Sequence, residues 1–159
     1  MSFYASLGHL VFGTRLRRLS EYFLMEVNKV YEQEGIPFDA SWFPVFYILS
    51  EGQPMPMIDI ADKLEISHSA VSQMVTNLRK RGLVRTDSCN DDRRRQLVAF
   101  TPEGEALLKR VQPIWAAITK AMEGVAEENK HSRKILEAIT EMEQSVQQVP
   151  LSERVRREI

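Results

Sequence analysis

Between residues 55 and 101 the chain passes through a series of local patterns whose order few folds accommodate. Residues 57–64 form a short apolar-periodic stretch, with Ile58, Ile60, Ala61 and Leu64 supplying its apolar side. A break follows at Glu65-Ile66. Residues 67–81 then read as a second helix: Ser67 stands where an N-cap belongs, and Gly82 where a helix ends. Val71, Val75 and Leu78 recur at i, i+4 and i+7, one stripe to pack on the preceding helix. The β-prone runs 83–86 and 97–100 flank a polar loop, the sequence form of a hairpin. This order predicts a helix-turn-helix with a hairpin behind it.

The outward side of the second helix carries the chemistry. His68, Ser69, Ser72, Gln73, Thr76 and Asn77 are short or amide-bearing and nearly free of charge. Such side chains can read base edges by hydrogen bonding without burying an unpaired charge. Lys80 and Arg81 follow at the helix C-terminus, where they also complement the helix dipole. The whole chain has a formal charge of −1, yet residues 79–95 hold seven cations against three anions. Three of the cations are the consecutive Arg93, Arg94 and Arg95, with Asp91 and Asp92 beside them as candidate orienting partners. A basic hairpin tip can reach a DNA backbone or minor groove, and phosphate contacts position a protein on the duplex. A solvated helix face and a solvated charge run are the plainer alternatives for each feature by itself.

The outer thirds of the chain are helical in pattern. Residues 3–34 read as one long helix closing at Gly35-Ile36-Pro37, with Gly8 and Gly13 as weak helix formers in its first half. Leu108, Val111, Trp115, Ile118, Met122 and Val125 step by three and four, and Ile135, Ile139, Met142, Val146 and Val149 repeat the pattern. Pro113 predicts a kink in the first of these helices. So many amphipathic helices have too few neighbours in one chain of 159 residues, which predicts a homodimer. An intramolecular bundle is the alternative. The expected seam runs through Leu10, Leu108, Val111, Ile139 and Val146.

In residues 92–104 the chain resembles a known family. Asp92-Arg93-Arg94, followed by Val98-Ala99-Phe100-Thr101-Pro102-Glu103-Gly104, is similar to the D-x-R and apolar-x-apolar-T-x-x-G pattern of MarR-type winged-helix transcriptional regulators. Ile60-Ala61-Asp62-Lys63-Leu64, Val71-Ser72 through Leu78, and Arg81-Gly82-Leu83-Val84 support the likeness upstream. Phe100, where the family usually has Leu, and the extra acid Asp91 are departures. The resemblance implies a mainly α fold with a small β wing: a winged helix-turn-helix DNA-binding lobe, 37–101, and a helical dimerisation lobe built from both termini, 1–36 and 102–150, with a tail at 151–159. By position, Arg94 resembles the wing arginine that enters the minor groove and Asp92 the carboxylate that holds it.

The resemblance also implies an effector cleft between the two lobes. His9, Phe12, Trp42, Phe43, Phe46 and Trp115 are the candidates to line it, for a small aromatic or amphipathic ligand. Aromatics at helical spacing are also the residues of a core, and that alternative stands beside the cleft for each of them. Catalytic chemistry is not indicated, since no Ser, His and Asp set or glycine-rich phosphate loop is present. His9, His68 and His131 are isolated, so no metal site and no cofactor are expected. A lone Cys89, no leader-like N-terminus and no apolar run near the ~20 residues of a membrane span point to a cytoplasmic protein without membrane contact. Two other functions remain open: a winged helix that binds another protein, or the DNA-binding part of a fusion with an enzymatic domain. The expected function is transcriptional regulation, most simply repression, through double-stranded DNA.

Overall fold

The N-terminal helical stretch does not run unbroken. In the computed structural model, which describes residues 3–88 and 96–159, it opens with α1 (Phe3–Ser6) and a 3-10 turn (Gly8–Val11) before α2 (Phe12–Gln33). Gly8 adopts φ +56°, a left-handed conformation that glycine reaches without a Cβ penalty, and the helix breaks there. Beyond α2 a 3-10 turn (Ala40–Trp42) leads into α3 (Phe43–Glu51). Asp39 starts that turn, its Oδ1 accepting from the Ser41 amide at 2.8 Å. Pro44 falls in the first turn of α3, where its missing N–H removes no helix bond.

Next come β1 (Met55–Pro56), α4 (Met57–Leu64), α5 (His68–Lys80), β2 (Val84–Ser88), β3 (Gln96–Phe100) and α6 (Pro102–Glu127). The strands form an antiparallel sheet ordered β1-β3-β2, with Met55 opposite Val98 and Val84 opposite Phe100. The hairpin was expected; β1 was not. Two residues ending in proline carry no strand signal until β3 is beside them.

The chain divides into two compact units, residues 1–113 and 114–159. In the first, every buried apolar side chain among the described residues lies between Tyr31 and Val111. Phe38 is its hub, with Tyr31, Trp42 and Phe46 packed edge-on at ring-centre distances of 5.0, 5.6 and 5.0 Å. Phe46 continues the chain of rings to Phe100 at 4.9 Å. Val71, Val75 and Leu78 of α5 are fully buried, as are Ile60 and Ala61 of α4, so those two helices share their predicted stripe. Two expectations fail here. Ile58 is 42% exposed and lies outside the covered surface of α4, while Val111 belongs to the core of its own chain and cannot sit in a seam between chains.

The second unit contains the rest of α6, a 3-10 turn (Ser132–Lys134), α7 (Ile135–Gln148) and α8 (Leu151–Glu158). The boundary falls at Pro113, which lacks the N–H that would continue the i→i−4 ladder. Ser132 ties the turn to α6 by donating to the Ala126 carbonyl at 2.7 Å. The expected tail is a helix: Arg154 of α8 donates to the Ser145 and Val149 carbonyls at 2.7 and 3.0 Å, the first of which also accepts from the Val149 amide, and so ties α8 to the end of α7. None of the residues of this unit is buried.

Candidate nucleic-acid interface

Helix α5 is fixed at both ends by its own sequence. Ser67 Oγ accepts from the Ala70 amide at 3.2 Å, and Ser69 Oγ lies 3.0 Å from the same hydroxyl. At the other end the Gly82 and Leu83 amides donate back to the Arg79 and Leu78 carbonyls at 2.9 and 3.0 Å, with Gly82 at φ +71°. The apolar stripe of α5 is buried, so its polar side must face solvent. His68, Ser69, Gln73, Asn77 and Lys80 are exposed, and Ser72 and Thr76 are half-buried. All seven share one helix, and they form a surface of donors and acceptors with a single permanent charge at its C-terminal end.

The wing is held to this helix through its root. Arg79 Nη1 donates to Thr86 Oγ1 at 3.3 Å, which joins α5 to β2. At the end of β3 the Thr101 carbonyl accepts from the Glu105 amide at 2.9 Å, and Thr101 makes three further bonds. Its amide donates to the Leu83 carbonyl at 3.1 Å, its hydroxyl donates to the Gly82 carbonyl at 2.6 Å, and the same oxygen accepts from the Gly104 amide at 3.0 Å. Thr101 therefore caps α6 and locks the turn after α5 in one stroke. Gly104 explains the fourth position of the motif: a Cβ there would lie 1.9 Å from the Leu83 carbonyl oxygen. Gln53 adds a second tie, accepting from the Phe100 amide at 2.7 Å and donating to Glu105 at 3.2 Å. Gln53 was not anticipated, because its partners are 47 and 52 residues away.

On the hairpin, Arg85 pairs with Asp87 at 2.7 Å. The expected minor-groove and backbone contacts Arg93, Arg94 and Arg95, the orienting Asp92, and Asp91 and Cys89 lie outside the described residues. Arg81, at the C-cap of α5, stands with its guanidinium carbon 4.7 Å from the centre of the Trp42 ring.

Five of the six residues expected to line an effector cleft belong to the first unit, where they are dispersed, and the sixth, Trp115, belongs to the second. Phe46 is fully buried between Phe38 and Phe100 and belongs to the core. Phe43 is exposed beside Tyr47, with ring centres 5.4 Å apart. His9 is exposed in the 3-10 turn after α1, and Phe12 lines a cavity of about 590 Å³ with Tyr4, Arg15 and Leu19. Trp42 lines a different cavity, with Arg81 and Arg110. Trp115 is half-buried in the second unit. Among the described residues, no three His, Cys, Asp or Glu side chains are grouped to hold a metal ion. No helix among them is long and apolar enough to cross a membrane.

Residues 35–95 match the family model described as MarR family. A sequence comparison with curated proteins finds no match. Among solved structures, the fold is similar to that in the Staphylococcus aureus MepR–DNA complex (TM-score 0.70, 20% identity), covering 84% of this chain and 96% of that one. It is similar also to the Mycobacterium tuberculosis transcriptional regulator MOSR in complex with DNA (TM-score 0.68, 17% identity, 87% and 97% covered). A third is Bordetella bronchiseptica BpsR, whose DNA binding is regulated by 6-hydroxynicotinic acid (TM-score 0.62, 26% identity, 82% and 97% covered).

Proposed function

From the match of residues 35–95 to the MarR family model and the winged-helix fold, we infer that this chain is a MarR-type transcriptional regulator that binds DNA as a homodimer on a pseudo-palindromic operator and responds to a small ligand. On this reading the chain is a regulator and not an enzyme. One observation carries the reading: the capped helix α5 buries its apolar stripe and presents His68, Ser69, Ser72, Gln73, Thr76 and Asn77 outward, with its C-terminal end bonded to the hairpin through Arg79 and Thr86. A helix so presented fits the major groove with its N-terminal residues against base edges. Arg93, Arg94 and Arg95 then serve the neighbouring backbone or minor groove, with Asp92 orienting them, and Lys80 meets phosphate.

One recognition helix covers a few base pairs, so a genomic operator requires two half-sites read together. The terminal helices supply the second copy's docking surface. Occupying an operator blocks transcription most simply, which makes repression the expected outcome. Support for ligand control comes from BpsR, whose DNA binding a small acid regulates. Such a ligand acts by binding one spacing of the two recognition helices better than another.

The test is capture of genomic DNA fragments by the purified protein, followed by affinity measurement on a recovered site at several salt concentrations. The expected result is a palindromic consensus and an affinity that falls steeply with salt, as counterion release requires. Recovery of no enriched sequence, or binding indifferent to salt, refutes it and favours a winged helix that binds protein.

A further inference from the structure

Gln53 lies in the bend before β1, outside any helix or strand, and its carboxamide meets two elements at once. Its Oε1 accepts from the Phe100 amide at 2.7 Å, and its Nε2 donates to Glu105 Oε1 at 3.2 Å. An amide N–H only donates and a carboxylate only accepts, so the partners fix which end of the carboxamide points where. The register explains the first bond. β1 and β3 pair Met55 with Val98 and Pro56 with Leu97, and the same antiparallel register carried two residues on sets Gln53 opposite Phe100. β1 stops short of that point, and a side chain makes the bond there in place of the backbone. The tie adds to a sparse ladder, since one of the two residues of β1, Pro56, has no N–H to give. The second bond reaches the first turn of α6, so one side chain joins β3 to α6.

Phe100 is the anchored end of β3. Its ring lies 4.9 Å from that of Phe46, and Val84 of β2 faces it across the sheet. The other end, Gln96, follows directly on Arg93, Arg94 and Arg95 in the chain. Four residue steps of a strand span roughly 13 Å, so a tilt of about 10° at Phe100 moves Gln96 by about 2 Å. A shift of that size is enough to break a hydrogen bond. We propose that Gln53 is the positioning residue of the wing: its carboxamide sets the angle of β3, and so where Arg93, Arg94 and Arg95 meet DNA. This role rests on the DNA-binding reading above. The position calls for a side chain that accepts and donates at once; Glu lacks the donor and Ala has neither group.

Two readouts separate positioning from mere support of the fold. Without DNA, exchange of the Phe100 amide hydrogen should be about tenfold or more faster in Gln53→Ala. On a recovered operator, Gln53→Ala should bind roughly three- to tenfold more weakly, with a flatter salt slope. Adding Arg94→Ala to it should cost less than about twofold more, because a misplaced wing has already lost that contact. Gln53→Glu sets two carboxylates against each other and should weaken binding as well. Glu105→Gln added to it restores the donor–acceptor pair in reverse, and should bring affinity back to within about twofold of the wild type. Unchanged Phe100 exchange, an Arg94→Ala loss of the same size in both backgrounds, or no rescue by Glu105→Gln overturns the proposal. A wild type that binds no DNA refutes the functional reading instead, and Phe100 exchange then still decides whether Gln53 holds β3.

Discussion

Residues 31–111 and the helices outside them carry the same kind of apolar periodicity and meet opposite fates. Phe46 in α3 is 0% exposed, whereas Leu10 and Leu136 in the outer segments are 86% and 76% exposed. The difference is in neighbours. Within 31–111, two helix stripes, a three-stranded sheet and a chain of aromatic rings close on one another. In α7, Ile135, Ile139, Met142 and Val146 are spaced as regularly, yet all of them remain exposed. Regular spacing therefore states that a helix wants a partner, and it leaves open whether the same chain provides one. Unburied stripes of this extent are what the proposed association surface would present.

The widest gap between the two regions should appear in their response to truncation. Phe46→Ala should cost about 3–5 kcal/mol in denaturant unfolding, against no more than about 0.5 kcal/mol for Leu136→Ala in the monomer. Equal losses would erase the contrast. Ile139→Glu places an unpaired carboxylate in the expected seam, at a cost to association of several kcal/mol. It should sediment as a monomer with the melting of the 31–111 core retained. A wild type that is monomeric at micromolar concentration, or a fully dimeric Ile139→Glu protein, would move or abolish the interface.

The next effects sharpen the picture inside the packed region. Gly104→Ala should destabilise by about 1–3 kcal/mol or more, because its Cβ meets backbone rather than a movable side chain. An unchanged unfolding midpoint would show that the wing root adjusts freely. Gln73→Ala should leave stability within about 0.5 kcal/mol and lose roughly 1–3 kcal/mol of discrimination at one base pair per half-site. A loss uniform across all sequences would put Gln73 on the backbone instead. The smallest effect belongs to Arg94→Ala, a salt slope flatter by about one. Unaltered affinity and slope would rule out its groove contact.

Helix α5 was legible from end to end because its determinants are local. Ser67, the Val71, Val75 and Leu78 stripe, and Gly82 all act within a few residues. The motif running from Thr101 to Gly104 was legible as a resemblance, and its cause was not. Thr101 and Gly104 serve carbonyls of Gly82 and Leu83, about twenty residues earlier, and only folding brings them together. The aromatic helix α3 was legible as apolar, but Phe46 became core and Trp42 the wall of a cavity with Arg81. No periodicity distinguishes those roles.

Sequence alone determined where α5 begins and ends, which of its sides is apolar, and where positive charge gathers, since capping, spacing and charge are properties of neighbours in the chain. Tertiary structure decided which stripes are covered. It withdrew Val111 from the expected seam, recruited Met55 and Pro56 as a strand, and set Arg81 on Trp42. Each of these depends on surfaces far apart in sequence meeting in space, and burial is set by what meets rather than by what is adjacent.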